Sequence, residues 1–144
     1  MKKFFYLMSL CLCMFMGAVA LSSCGDDADD IIDDLEDGNI TTTASVSIGD
    51  NKDVLVVTYK NAWTETHTAL FTNDECTSYI VVYDFKSETL ADAMWADAKD
   101  EDGYTRNSKK KITYDSTGTF EGTPKSVMDQ VFTSMAEEYN SGKK

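Results

Sequence analysis

The stretch Thr77–Phe85, followed almost at once by Ser87, constrains this chain more than any other part of it. Along Thr77–Phe85 the side chains alternate, with Tyr79, Val81, Tyr83 and Phe85 on one face of an extended strand and Ile80 and Val82 on the other. At Ser87 the period changes. Ser87 is placed to cap a helix, Glu88 suits its first turn, and Leu90, Ala91, Met94, Trp95 and Ala98 recur at helical spacing. A strand and a helix that each carry an apolar face must bury those faces against something, and the economical solution is to lay the helix on the sheet.

The flanking segments extend the pattern. Ile40–Ile48 is rich in Thr, Ser and Val and ends in Gly49-Asp50-Asn51, a strand and a turn. Asp53–Lys60 reads as a strand apolar on both faces, and His67–Thr72 as a less regular one closed by Asn73-Asp74-Glu75. Asp100-Glu101-Asp102-Gly103 ends the first helix, Lys109–Asp115 predicts a short strand, and Gly118–Gly122 predicts an extension of it as a hairpin arm. Thr123-Pro124 opens a second helix with the stripe Val127, Met128, Val131, Phe132, Met135 and Tyr139, closed by Gly142. The expectation is an α+β fold: a largely antiparallel sheet of four to five strands with two helices on one face, forming a single domain over residues 40–144.

The N-terminus is not part of that domain. Lys2 and Lys3 precede an apolar run, Phe4–Met8 and Leu10–Phe15, which exits through Gly17-Ala18-Val19-Ala20. A positive start, an apolar middle and a small-residue exit predict a signal peptide over residues 1–23. The run is interrupted by Ser9 and Gly17 and falls short of the roughly 20 continuous apolar residues a membrane span needs. Leu21-Ser22-Ser23-Cys24 resembles the lipobox of bacterial lipoproteins, which implies that Cys24 becomes an acylated N-terminus. The strand Tyr79–Phe85 with the helix entry Ser87-Glu88-Thr89-Leu90 is likewise similar to small bacterial lipoproteins, a resemblance that implies no activity. With Cys11 and Cys13 in the leader and Cys24 lipidated, Cys76 is the one thiol left for the domain, so a disulfide scaffold is excluded and the core must supply the stability.

The charge pattern narrows the partners. The formal charge of −12 becomes −14 once Lys2 and Lys3 leave. Nucleic acid is not an expected partner, because phosphate neutralisation needs clustered Lys and Arg. Residues 24–39 read as a flexible acidic tether, since eight of the fourteen residues from Gly25 to Gly38 are acidic and like charges keep a chain extended. An acidic run behind a lipidated Cys also resembles the export signal that carries some lipoproteins to the outer face of the outer membrane, although Gly25 and Ala28 interrupt it. The expected location is the outer membrane, lipid-anchored and facing outward, with a periplasm-facing orientation as the alternative.

Chemistry is sparse. Cys76 and His67, the one thiol and the one imidazole of the domain, sit near neighbouring strand ends, and a Cys–His dyad would activate a thiolate if the fold joined them. A single His and no Gly-x-Ser-x-Gly elbow argue against a serine hydrolase, and one His excludes the usual zinc sets. Asp97–Gly103 fails the EF-hand register, which would place Ala98 and Lys109 at ligand positions. No metal and no cofactor is expected. Trp63, in the loop-like Asn61-Ala62-Trp63-Thr64, is the candidate ligand-binding platform for a glycan or peptide. Lys109-Lys110-Lys111 with Arg106 is the one basic patch, either guarding a sheet edge or meeting an acidic partner. Asp115-Ser116-Thr117 resembles a short O-glycosylation acceptor at Ser116, and a turn accounts for the same residues. The functional expectation is a non-enzymatic binding or accessory module for a glycan, peptide or envelope protein, or a structural envelope protein; the alternative is a small envelope enzyme using Cys76 and His67.

Overall fold

The computed structural model describes residues 41–141. The leader, Cys24, the acidic tether and Gly142 lie outside the described residues. The chain forms β1 (Thr42–Ile48), β2 (Lys52–Tyr59), β3 (Trp63–Thr72), β4 (Glu75–Phe85), α1 (Glu88–Ala98), β5 (Tyr104–Arg106), β6 (Lys111–Asp115), α2 (Thr117–Phe120) and α3 (Lys125–Ser141). The fold is α+β. Six strands make one antiparallel sheet in the order β1-β2-β3-β4-β6-β5, one strand more than the upper expectation.

The first four strands form a meander. Asn61, with φ 64°, turns the chain between β2 and β3. Asn73 and Asp74 join β3 to β4 with φ of 53° and 64°, the left-handed pair that a two-residue hairpin of matching twist requires and that Asn and Asp tolerate best. The register between β3 and β4 slips at Leu70/Phe71, so Thr77 is the extra residue of a bulge. α1 then crosses over, capped by the Ser87 hydroxyl, which accepts from the Leu90 amide at 3.2 Å. The chain returns through β5 at the far edge and β6 beside β4.

Two expectations are corrected. β3 begins at Trp63, four residues before His67, because Trp63, Glu65 and His67 continue the alternation inward of Ala69 and Phe71. Gly118–Gly122 is not a hairpin arm. Thr117–Phe120 forms a single helical turn, started by the Asp115 carboxylate accepting from the Thr117 amide. That turn drives Phe120 into the core, where its ring stacks on Tyr79 at 4.5 Å. The edge strand that sequence reading missed, Tyr104–Arg106, is only three residues long, too short to show an alternation.

One core fills the space between the sheet and the helices. Leu55, Val57 and Tyr59 of β2, Tyr79, Val81, Tyr83 and Phe85 of β4, and Ile112 of β6 join Leu90, Ala91 and Met94 of α1 and Met128, Phe132, Met135 and Tyr139 of α3 in a single buried cluster. These strand residues all share one face, so both long helices lie on that face. The opposite face carries no layer among the described residues, and its side chains are half-buried by one another or exposed. Among the described residues no helix is long and apolar enough to cross a membrane.

Candidate functional site

The core-facing side of β3 reads Trp63, Glu65, His67, an apolar strand face with two ionisable groups set into it. These residues form a buried polar chain. The Trp63 indole N–H donates to Glu65 Oε1 at 3.0 Å, Glu65 Oε2 lies 3.2 Å from His67 Nε2, and His67 Nδ1 lies 3.0 Å from the Tyr79 hydroxyl. Burial holds the Tyr79 phenol well above its usual range, with the Glu65 charge adding to the effect, so Tyr79 is a hydroxyl donor. The assignment that gives every proton an acceptor runs from Tyr79 O–H to Nδ1, and from Nε2–H and the indole N–H to the Glu65 carboxylate. A fully bonded network of this kind fixes side-chain positions, because leaving any member unpaired in the core costs far more than in water.

Cys76 takes no part in it. The register places His67 opposite Val81 and Cys76 opposite Phe71. Four residues of strand, about 13 Å, therefore separate them along the sheet. The Cys76 thiol instead donates to the Ser78 carbonyl at 3.5 Å, and burial pushes its pKa up, the reverse of an activated thiolate. The Cys76–His67 dyad weighed from the sequence does not form, because the register keeps the two apart.

Trp63 is also corrected. It is 2% exposed, stacked on Tyr59 at 4.3 Å and tilted against Phe85. The ring is a core side chain, since the loop around Asn61 turns it inward, and it offers no platform to a ligand. Trp95 packs against the core as expected. Ser116 is buried, so its hydroxyl is not presented to a glycosylating enzyme in the folded domain. The basic patch meets the protein's own acids: Arg106 pairs with Asp92 at 2.6 Å, and Lys109 and Lys111 lie 3.9 Å from Glu88 and Asp84. A shallow cleft of about 340 Å³ lies there, lined by Glu88, Asp92 and Arg106–Lys109.

A second cluster escaped sequence reading. Asp53, fully buried at the start of β2, accepts from the Gly49 amide and from Lys125 Nζ, both at 3.3 Å. Lys125, on the first turn of α3, also donates to Asp129 at 2.8 Å and lies 5.0 Å from the centre of the Phe71 ring. Burial, then a hydrogen bond with Asp129, raises the Asp53 pKa from 3.8 to about 6. Burial alone would raise Asp129 too, but its bonds with Asp53 and Lys125 prevail and its carboxyl falls below the usual range. Asp53 Oδ2 is buried with no donor, so part of the carboxylate charge is left uncompensated, which favours the protonated form. Among the described residues no group of acidic, His or Cys side chains is arranged to hold a metal ion. The signal for Asp53 was present, because it alternates in phase with Leu55, Val57 and Tyr59; the signal for Asp129 was not, because its partner lies on another element.

The uncovered face of the sheet is a further, half-buried feature. Its register builds two rows across the strands: Val56, Thr66 and Val82 in one, Val54, Thr68 and Ile80 in the other. Neighbouring strands stand about 4.8 Å apart, so each row is a flat ladder of methyl groups and hydroxyls. Charged side chains occur on that face toward its β6 side, at Asp84, Lys111 and Asp115. No family model, no curated protein and no solved structure matches this chain.

Proposed function

We propose that this chain is a lipid-anchored envelope protein whose domain serves as a non-enzymatic binding or accessory module. The observation that carries the reading is the contrast between the two faces of the sheet. The thiol, imidazole and indole with chemical potential are turned into the core, where the imidazole and indole bond to Glu65 and the thiol to backbone. The centre of the open face is an uncharged carpet of Thr, Val and Ile. Such a surface suits a flat, weakly polar partner, a glycan strand or an extended peptide of the envelope, because hydroxyls satisfy its polar groups while methyls exclude water. On this reading Cys24 carries the acyl anchor, the acidic run behind it is the tether and export signal, and the domain faces outward from the outer membrane.

Three measurements test it. Labelled palmitate should enter the native protein and not Cys24→Ala, and protease added to intact cells should cut the native chain but spare a form with the acids of residues 26–37 neutralised. Binding to envelope glycans or peptides should be lost in Thr66→Lys/Val82→Lys while thermal unfolding stays unchanged. Binding that survives the substitution removes the open face from the proposal.

A further inference from the structure

The first turn of α3 is fastened to the sheet by a cluster whose charges do not balance. Asp53 is fully buried at the start of β2, and its Oδ2 has no donor among the described residues. Lys125 offers one ammonium to two carboxylates, at 3.3 Å to Asp53 and 2.8 Å to Asp129. With both acids ionised the cluster keeps one uncompensated negative charge, and its Asp53 half has no access to water. The surrounding elements do little to offset it. The β1–β2 turn supplies the Gly49 amide, and Asp74 of the β3–β4 turn stands beside Lys125 and Asp129 as a further acid. On β4 the Cys76 thiol is neutral, raised by burial and then by the charges of Asp53 and Glu121.

Two features allow this charge to be relieved without unfolding the sheet. An open cleft of about 370 Å³, lined by Asp74, Pro124, Lys125, Ser126 and Asp129, brings solvent to the outer side of the cluster. The backbone ties of the turn are concentrated on the β3–β4 hairpin, where the Lys125 amide donates to the Asp74 carbonyl and the Cys76 amide to the Thr123 carbonyl, both at 2.8 Å. We infer that Asp53, Lys125 and Asp129 form a proton-operated latch, which seals the first turn of α3 onto the sheet while Asp53 is protonated and lets that turn lift once the proton leaves to solvent. Lifting uncovers Phe71, whose ring lies 5.0 Å from the Lys125 ammonium and is 5% exposed in the closed form. The inference does not rest on the proposed function, because it uses the cluster alone.

The direction follows from burial, which raises Asp53 from 3.8 to about 6 in the closed form. Hydrated in the open form, the carboxyl returns to its ordinary value, so the latch is closed at low pH and loosens as pH rises through 6. Asp129 is held below the usual range by its bonds with Asp53 and Lys125 in spite of burial, and Lys125 is raised first by its bond to Asp129. Both therefore stay charged between pH 5 and 7, and over that interval the open form gains about tenfold on the closed one.

Hydrogen exchange of the full chain in detergent reads the opening, using mass spectrometry of peptides covering residues 123–130 and correcting for the intrinsic rate at each pH. Protection there should fall about tenfold from pH 5 to pH 7. It should not respond to low urea, because one lifted turn exposes little surface. Asp53→Asn cannot ionise, and Asp129→Asn gives Asp53 an amide donor in place of a second charge, so each should hold the protection constant over the same range. The two variants act from different elements, so a folding defect in one leaves the other to decide. No fall in the native chain, a fall that follows urea as the amides of β3 do, or a fall that persists in the variants overturns the latch.

Discussion

Asp53→Asn separates two physical descriptions of the cluster at the foot of α3. If Asp53 is an ordinary carboxylate in an ion pair with Lys125, neutralising it leaves the Lys charge half-matched and destabilises the fold at neutral pH. If Asp53 and Asp129 share a proton, Asn is a permanent copy of the protonated carboxyl: its amide donates to Asp129 and its oxygen still accepts from Lys125 and Gly49. The sign follows from the shift. A carboxyl with a folded pKa of about 6 against 3.8 contributes stability that is complete below about pH 4 and lost as pH rises through 6. That loss is worth roughly 3 kcal/mol at pH 7, and Asn does not suffer it. The lowered Asp129 acts oppositely, giving stability that is lost as pH falls below the ordinary carboxylate range. As far as this pair is concerned, the native protein should therefore be most stable near about pH 4 and lose stability between about pH 4 and 6. Urea unfolding at pH 7 should show Asp53→Asn more stable than the native chain by about 2–3 kcal/mol, and at about pH 3.5 the two should nearly coincide. A variant less stable at pH 7, or a difference independent of pH, refutes the shared proton.

Other outcomes follow from the same packing. Glu65→Ala strands His67 and the Trp63 indole without their acceptor in the core and should cost about 3 kcal/mol or more in urea unfolding, whereas a surface Glu137→Ala should change little. Phe120→Ala removes a fully buried ring stacked on Tyr79 and should cost about 3–5 kcal/mol, a loss that a hairpin arm at this position would not show. Cys76, buried and with its thiol pKa raised, should resist alkylation in the native domain and react once it is unfolded, as read by mass spectrometry.

Strand and helix identity was legible wherever an element was long enough to show its period. β4 and α1 read directly from the alternation through Phe85 and from the Ser87 cap, and β2 and α3 were as clear. β5 and α2 were not, because three or four residues carry no period and Phe120 turns inward for the sake of Tyr79, a residue on a different element. At the level of sites the reading divides similarly. His67 and Cys76 were visible as rare residue types, yet their separation depends on a register that no residue type announces. Trp63 was visible as an aromatic, yet its burial depends on the αL turn at Asn61.

The sequence by itself determined the fold class, since that depends on local periodicity. Only the tertiary structure decided that Glu65 joins Trp63 to His67 and that Asp53 and Asp129 meet across Lys125. Each of these is a contact between elements distant in the chain. Its energy comes from burial and from hydrogen-bond geometry, and neither exists until the sheet has closed against its helices.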